Sequence, residues 1–274
     1  MTAIGIMQGR LSPPLEGRIQ AFPVHAWRDE FPRAAEAGLD CIEWVYELPN
    51  EDANPLATEA GVEEILAAAE ASGVAVRSVC ADYYMSVLLV ADESAPAHLE
   101  RLLARVGRLG ARYVVLPFVD ESSLADVAAL EALLPRLLAA AERNRVELHL
   151  ETDWPVDVLV PLLERFSHPL LRANYDTGNA ASLGRRPGEE LPALAPFLGS
   201  VHVKDRVLGG GTVPLGSGDA DLPAALRLTE AAGFPGPYVL QVARGEDGGE
   251  VELARRNRDV VRALLAKEAS WSSS

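Results

Sequence analysis

Cysteine is scarce in this chain: Cys41 and Cys80 are the two among 274 residues, and both fall inside apolar, strand-like runs. They read as two buried free thiols, since a disulfide framework or a zinc knuckle needs more cysteines at other spacings. Basic residues are outnumbered, 25 Lys and Arg against 40 Asp and Glu, and the net charge of -15 is spread along the chain. A phosphate backbone needs clustered Lys and Arg, so nucleic acid is a poor partner. Small anions, which a few local Arg can hold, are still allowed. No apolar run approaches the ~20 residues of a membrane helix. The start, Met1-Thr-Ala-Ile-Gly5, lacks the basic region and long apolar stretch of a signal peptide. The expectation is a cytoplasmic protein with no membrane partner. A glycine fingerprint after the first apolar run is also missing. Gly9-Arg10-Leu11-Ser12-Pro13-Pro14 cannot open a helix there, which argues against a doubly wound dinucleotide fold.

What is present is an alternation. Short β-branched runs begin near Ile4, Leu39, Val74, Tyr113, Glu147, Leu171, Val201 and Tyr238. Longer Ala/Leu-rich stretches of helical period separate them, least clearly between the sixth and seventh, where Pro187, Pro192 and Pro196 interrupt. Eight strands interleaved with helices imply parallel pairing, and the closed solution for eight is an α/β architecture, a single (β/α)8 TIM barrel. Its expected extent is 1–266, with 267–274 a disordered tail.

Four of the predicted strands end on a group able to hold a metal: Glu151, Asp176, His202 and Gln241. Barrel side chains alternate between lumen and helix layer. If Glu151 faces the lumen, so do His149 and Glu147; the same phase puts Asn174 and Asp176, His202 and Lys204, and Gln241 inside. Polar groups at the inward carboxyl ends of four strands are costly unless they converge on something. Two carboxylates, an imidazole and an amide oxygen suit one divalent metal ion, manganese foremost, with magnesium, cobalt or zinc as alternatives.

Several segments carry a resemblance: Ile4-Gly-Ile-Met-Gln-Gly-Arg-Leu-Ser-Pro13, Gly38-Leu-Asp-Cys-Ile-Glu-Trp44, Leu150-Glu-Thr152, Asn174-Tyr-Asp-Thr-Gly-Asn179, Val201-His-Val-Lys-Asp205 and Gly216-Ser-Gly-Asp-Ala-Asp221. In order and spacing they resemble the xylose isomerase-like TIM barrel superfamily, which includes sugar phosphate isomerases, ketose 3-epimerases and endonuclease IV-type enzymes. The epimerase members hold their metal with Glu, Asp, His and a second Glu. Carried across, these fall on Glu151, Asp176, His202 and Gln241. The last departs from the pattern, because an amide cannot take a proton. The resemblance implies a small-molecule sugar or sugar phosphate as substrate, an isomerase or epimerase reaction, and a homo-oligomer. Five histidines make a three-metal endonuclease site hard to build.

With the second acid gone, a one-base aldose–ketose isomerisation through an enediolate competes with epimerisation, and Glu151 is the base. An unligated acid nearby shares the task, Glu43 or Asp82; a lumen ion pair for Glu43 and a strand-end hydrogen bond for Asp82 are the structural alternatives. Lys204, inward beside the histidine, needs a carboxylate or a substrate oxygen. Arg10, Arg206 and Arg244 lie just past strand ends, where they can bind a substrate phosphate or carboxylate, Arg244 with the best placement. Asn179 touches substrate or caps a helix, and Tyr83, Tyr84 and Met85 wall the pocket or pack beneath a loop. The glycines at 209–218 resemble a phosphate cradle only weakly, since Asp219 and Asp221 precede the next helix and repel an anion. A cyclitol or keto-polyol dehydratase and a non-catalytic sugar-binding barrel are the competing functions.

Overall fold

The β-branched runs form strands whose backbone hydrogen bonds close on themselves. The computed structural model describes residues 2–269, with side chains through 266. The barrel strands are β1 (Ile4–Met7), β2 (Cys41–Val45), β3 (Ala75–Cys80), β4 (Tyr113–Phe118), β5 (Glu147–Thr152), β6 (Leu171–Asp176), β7 (Leu198–Val203) and β8 (Tyr238–Leu240). They pair in chain order, and β8 returns to β1 with Ile4 opposite Tyr238. Every pair in the barrel is parallel, so the (β/α)8 expectation holds.

The Ala/Leu-rich stretches form the outer layer, chiefly α1 (Trp27–Ala37), α2 (Glu59–Ser72), α4 (Ala95–Leu109), α5 (Val127–Asn144), α6 (Val156–Phe166), α9 (Leu222–Ala231) and α10 (Glu250–Ala269), with the single turn α3 (Tyr83–Ser86) after β3. The proline-broken segment folds as two short helices, α7 (Thr177–Ser182) and α8 (Pro187–Leu194). Pro187 sits in the first turn of α8, where a missing N–H costs nothing. Helix α10 runs to Ala269, three residues beyond the expected end of the barrel at 266; the rest of the expected tail, 270–274, lies outside the described residues. Among the described residues no helix is long and apolar enough to cross a membrane. Cys41 and Cys80 are buried free thiols, and burial pushes Cys41 up to about 12.

Two features of this frame aim the site. The first is a pair of register shifts, between Ile42 and Glu43 on β2 and between Ala173 and Asn174 on β6. The extra residues, Arg77 on β3 and Gly199 on β7, bulge those strands and re-aim the side chains that follow, Ser78 and Ser200, which bond Glu43 and Asn174. The second is the long connection from β1 to α1, which is stapled by two buried carboxylates. Glu30 accepts from Gly9 N, Leu11 N and the Ser12 hydroxyl. Glu47 accepts from Phe22 N, Arg18 and Asn50. Gly9 adopts a φ of 84°, and a Cβ there would stand 2.5 Å from Ala21 O, so only glycine closes this loop over the barrel.

Candidate metal centre

The lumen is filled by one connected polar network. Tyr113 stacks on His149 at 4.1 Å, and His149 reaches Glu147 at 2.9 Å on one side and Ser200 at 2.8 Å on the other. Burial lowers the His149 pKa, against the pull of Glu147. Ser200 donates to Asn174 Oδ1 at 2.7 Å, and Asn174 Nδ2 donates to Glu151 Oε2 at 3.1 Å. The buried polar groups thus hold one another in position from the barrel floor to its carboxyl-end mouth.

At that mouth Glu151, Asp176 and His202 each offer a ligand atom, all within 4.8 Å of one another. Each is fixed by a neighbour. Asp176 Oδ1 caps α7, accepting from Gly178 N and Asn179 N, both at 2.8 Å. Among the described residues that leaves Oδ2 buried without a hydrogen bond, 3.8 Å from His202 Nδ1. Glu151 Oε1 accepts from Asn179 Nδ2 at 2.6 Å. His202 Nε2 lies 2.7 Å from Glu43 Oε1, while Nδ1 faces Glu151 Oε2 at 3.3 Å and Asp176 Oδ2 at 3.8 Å. In the neutral ring a proton on Nε2, held by Glu43, would leave the Nδ1 lone pair on the side of the two carboxylates. Metal-bound histidines are oriented by a carboxylate in this way. Burial opposes charge on His202, but Glu43 and Glu151 outweigh it and raise its pKa well above the ordinary value. A centre this acidic attracts a cation, and Asp176 Oδ2, which accepts no hydrogen bond, turns toward it with Lys204 Nζ 3.5 Å away. The three side chains fit a divalent metal ion.

Gln241, the expected fourth ligand, is placed differently. Its Nε2 donates to Gln20 Oε1 at 2.9 Å, and its Oε1 lies 3.4 Å from Lys204 Nζ. The same ammonium is 3.5 Å from Asp176 Oδ2 and 3.2 Å from Asn179 Oδ1, so Lys204 stands between Asp176 and Gln241. The amide nitrogen is thus held by Gln20 and the amide oxygen by Lys204. Gly178 makes room for this lysine, since a Cβ there would meet Lys204 Cγ at 2.6 Å.

Glu43 departs further from expectation. Fully buried, with Oε1 on His202 and Oε2 accepting from Ser78 at 2.6 Å, it lies beneath the metal ligands and does not line the mouth cavity. Its inward phase was readable, but its depth was not: Glu43 precedes the end of its strand by two residues, Glu151 by one.

The arginines are also spent. Arg244 donates to Ile19 O and Ser12 O, bracing the β1–α1 connection, and stands outside the mouth cavity. Arg206 holds Asn179 Oδ1 and Gly210 O, and it too is absent from the lining. Arg10 does line the cavity, with its guanidinium bound to Val242 O, Ile19 O and Gln20; burial and then Arg244 lower it to about 10. Asn179 is no cap, because Asp176 caps its helix; it bridges Glu151, Lys204 and Arg206. Met85 lines the cavity, while Tyr83 and Tyr84 pack around His98 behind it.

The cavity above the centre encloses about 300 Å³. Among the wall residues that escaped the sequence reading are Arg18, Gln20 and Glu47. Arg18 and Gln20 come from an irregular connection, where no strand phase tells inside from outside. Glu47 follows β2 by two residues and gave only the weak signal of an acid past a strand end.

Asp82 also lines the cavity, half-buried, accepting from Gln20 Nε2 at 2.6 Å and from the Cys80 thiol. Burial, reinforced by Glu151 and Glu47, pushes its carboxyl up to about 6 despite those hydrogen bonds. A folded-state value above the unfolded one means that the protonated form stabilises. That contribution is complete near pH 4 and lost as pH rises through 6. In the metal-free protein, Asp82→Asn should match wild type near pH 4. At pH 8 it should be more stable by about 1–2 kcal/mol after allowance for partial exposure. Urea midpoints at the two pH values check this, and equal differences at both would remove the assignment.

With this geometry in view, comparison with known proteins is informative. A family model described as xylose isomerase-like TIM barrel matches residues 31–264. An L-ribulose-5-phosphate 3-epimerase of Escherichia coli is 28% identical over 134 residues, covering 46% of this chain and 47% of that protein. The match therefore spans about half the length of the curated relative. Among solved structures, an L-ribulose 3-epimerase superposes with a TM-score of 0.78 at 17% identity, over 100% of this chain and 97% of the other. A xylose isomerase-like barrel protein from Mycobacterium smegmatis, in complex with magnesium, gives 0.71 at 20% identity over 97% of each chain.

Proposed function

Because this chain belongs to the xylose isomerase-like TIM barrel family, we propose that it is a divalent-metal-dependent isomerase or epimerase that moves a proton on a small keto-sugar or sugar phosphate. The observation that carries this is the convergence of ligand atoms from Glu151, Asp176 and the Nδ1 face of His202, with Glu151 opening onto the mouth cavity. The partial relative and the superposed epimerase support the reaction class. A divalent ion, with manganese as our assignment, would be held by Glu151, Asp176 and His202 and would supply Lewis-acid polarisation of the substrate carbonyl.

The chain's own residues do the rest. Glu151, the ligand that also lines the cavity, takes the proton from the carbon beside the carbonyl, and Asn179 and Asn174 fix its two oxygens. Lys204, which lines the cavity beside the centre, donates to a substrate oxygen where negative charge develops. Gln241 cannot return a proton from the other face. One carbon base therefore serves two adjacent carbons, which favours aldose–ketose isomerisation over 3-epimerisation.

The test is solvent exchange. Manganese-loaded protein should place deuterium from D2O into L-ribulose or L-ribulose 5-phosphate at C1, beside the carbonyl. Gln241→Glu, which supplies the missing acid, should add exchange at C3 and about tenfold more 3-epimer, as expected from one restored proton-transfer group. Absence of exchange from both sugars with metal bound would overturn the reading in favour of a sugar-binding barrel.

A further inference from the structure

The charges around the mouth cavity are matched before any ligand enters. The cations lining it are Arg10, Arg18 and Lys204, against four lining acids, Glu47, Asp82, Asp120 and Glu151. Arg10 is held by two backbone carbonyls and the Gln20 amide oxygen. Lys204, 3.5 Å from Asp176 Oδ2, faces the candidate metal centre and serves the reacting end of the sugar. Arg18, the cation on the outer wall, lies 2.8 Å from Glu47. That acid is itself fixed by Phe22 N at 2.8 Å and Asn50 at 2.6 Å, so it cannot swing away from the arginine.

The glycine-rich loop after β7 is occupied in the same way. Gly216 N, Gly218 N and Ala220 N, which together could cradle a phosphate, donate at 2.8, 3.0 and 3.0 Å to the carboxylate of Asp205. Asp205 is fully buried, an internal anion seated where an external one would otherwise bind. A phosphate ester, carrying about -1.5 to -2 at pH 7, would find Arg10 and Arg18 already hydrogen-bonded within the protein and Lys204 committed to the reacting sugar oxygen, and would lie beside the acids of the rim.

We propose that the mouth selects an uncharged keto-polyol and discriminates against phosphorylated sugars, with Glu47 setting that choice by holding Arg18. This rests on the keto-sugar reading above and narrows its substrate class. It runs against the substrate named for the partial sequence relative, L-ribulose 5-phosphate, and agrees with that of the superposed L-ribulose 3-epimerase.

The experiment is calorimetric titration of manganese-loaded protein with L-ribulose and with L-ribulose 5-phosphate. The free sugar should bind at least about tenfold tighter, the equivalent of one lost charge interaction. Glu47→Gln, which frees Arg18, should tighten the 5-phosphate at least about fivefold and move L-ribulose less than about twofold. Arg18→Gln provides a second reading should Glu47→Gln fold poorly: it should leave 5-phosphate affinity within about twofold of wild type. A wild type that prefers the 5-phosphate, or an Arg18→Gln that loses it tenfold, overturns the proposal. The exchange assay separates the two levels. Deuterium entering the 5-phosphate alone removes only the charge inference, whereas none entering either sugar removes the functional reading beneath it.

Discussion

Glu151→Gln is expected to lower solvent exchange into substrate by about 10²–10⁴-fold, the range associated with loss of a general base, while the protein still folds and binds one metal ion. The amide keeps an oxygen for ligation, but it cannot accept the substrate proton. The supporting donors make the change informative. Asn179 Nδ2 at 2.6 Å and Asn174 Nδ2 at 3.1 Å both point at the Glu151 oxygens, so one end of a glutamine would set its own NH₂ against a donor. That mismatch costs about 1–3 kcal/mol of stability, measurable as a lower urea midpoint and separable from catalysis by metal stoichiometry. Exchange persisting within tenfold of wild type at full metal occupancy would move the base elsewhere. The half-buried Asp82, which lines the same cavity and is poised near pH 6, is then the next group to replace.

Glu43→Gln should weaken metal binding by about 10–100-fold, the usual effect of losing a carboxylate behind a ligating histidine. The carboxylate takes the His202 Nε2 proton at 2.7 Å and is anchored by Ser78 at 2.6 Å, with both partners fully out of water. A glutamine there is a weaker acceptor. If its NH₂ turned toward Nε2, the ring proton would shift to Nδ1 and block the lone pair that faces Glu151 and Asp176. Exchange rates at saturating manganese should return to within a few-fold of wild type, because Glu43 acts through His202 and touches no substrate. A loss that saturating metal does not rescue would return Glu43 to the role of proton-transfer acid that its inward phase first suggested.

Much of this centre was legible in the chain. The two-residue period of β5, β6 and β7 put Glu151, Asp176 and His202 on one side of the sheet, and each falls at or within a residue of its strand's last position. The barrel followed from the alternation of strands and helices. The long-range partners were not legible. Glu43 and His202 are 159 residues apart, and Gln20 and Gln241 are 221 apart. No local pattern joins them, and what brings them together is ring closure and loop packing.

The arginines illustrate the same limit. In sequence, Arg10, Arg206 and Arg244 stand past strand ends like anion binders, yet each is consumed by backbone or side-chain acceptors supplied by other parts of the fold. The glycines at 216 and 218 likewise suggested a weak cradle, and the structure fills it with Asp205.

The sequence by itself determined the barrel, the inward face of every ligand-bearing strand and the lack of a second carboxylate at 241, because side-chain direction and proton capacity are local properties. The tertiary structure alone placed Glu43 on His202, Gln241 between Lys204 and Gln20, and Arg10 and Arg18 on acceptors within the protein. Depth, register and pairing are set by how distant strands and loops close around one another, and a buried polar group takes whichever partner that closure delivers.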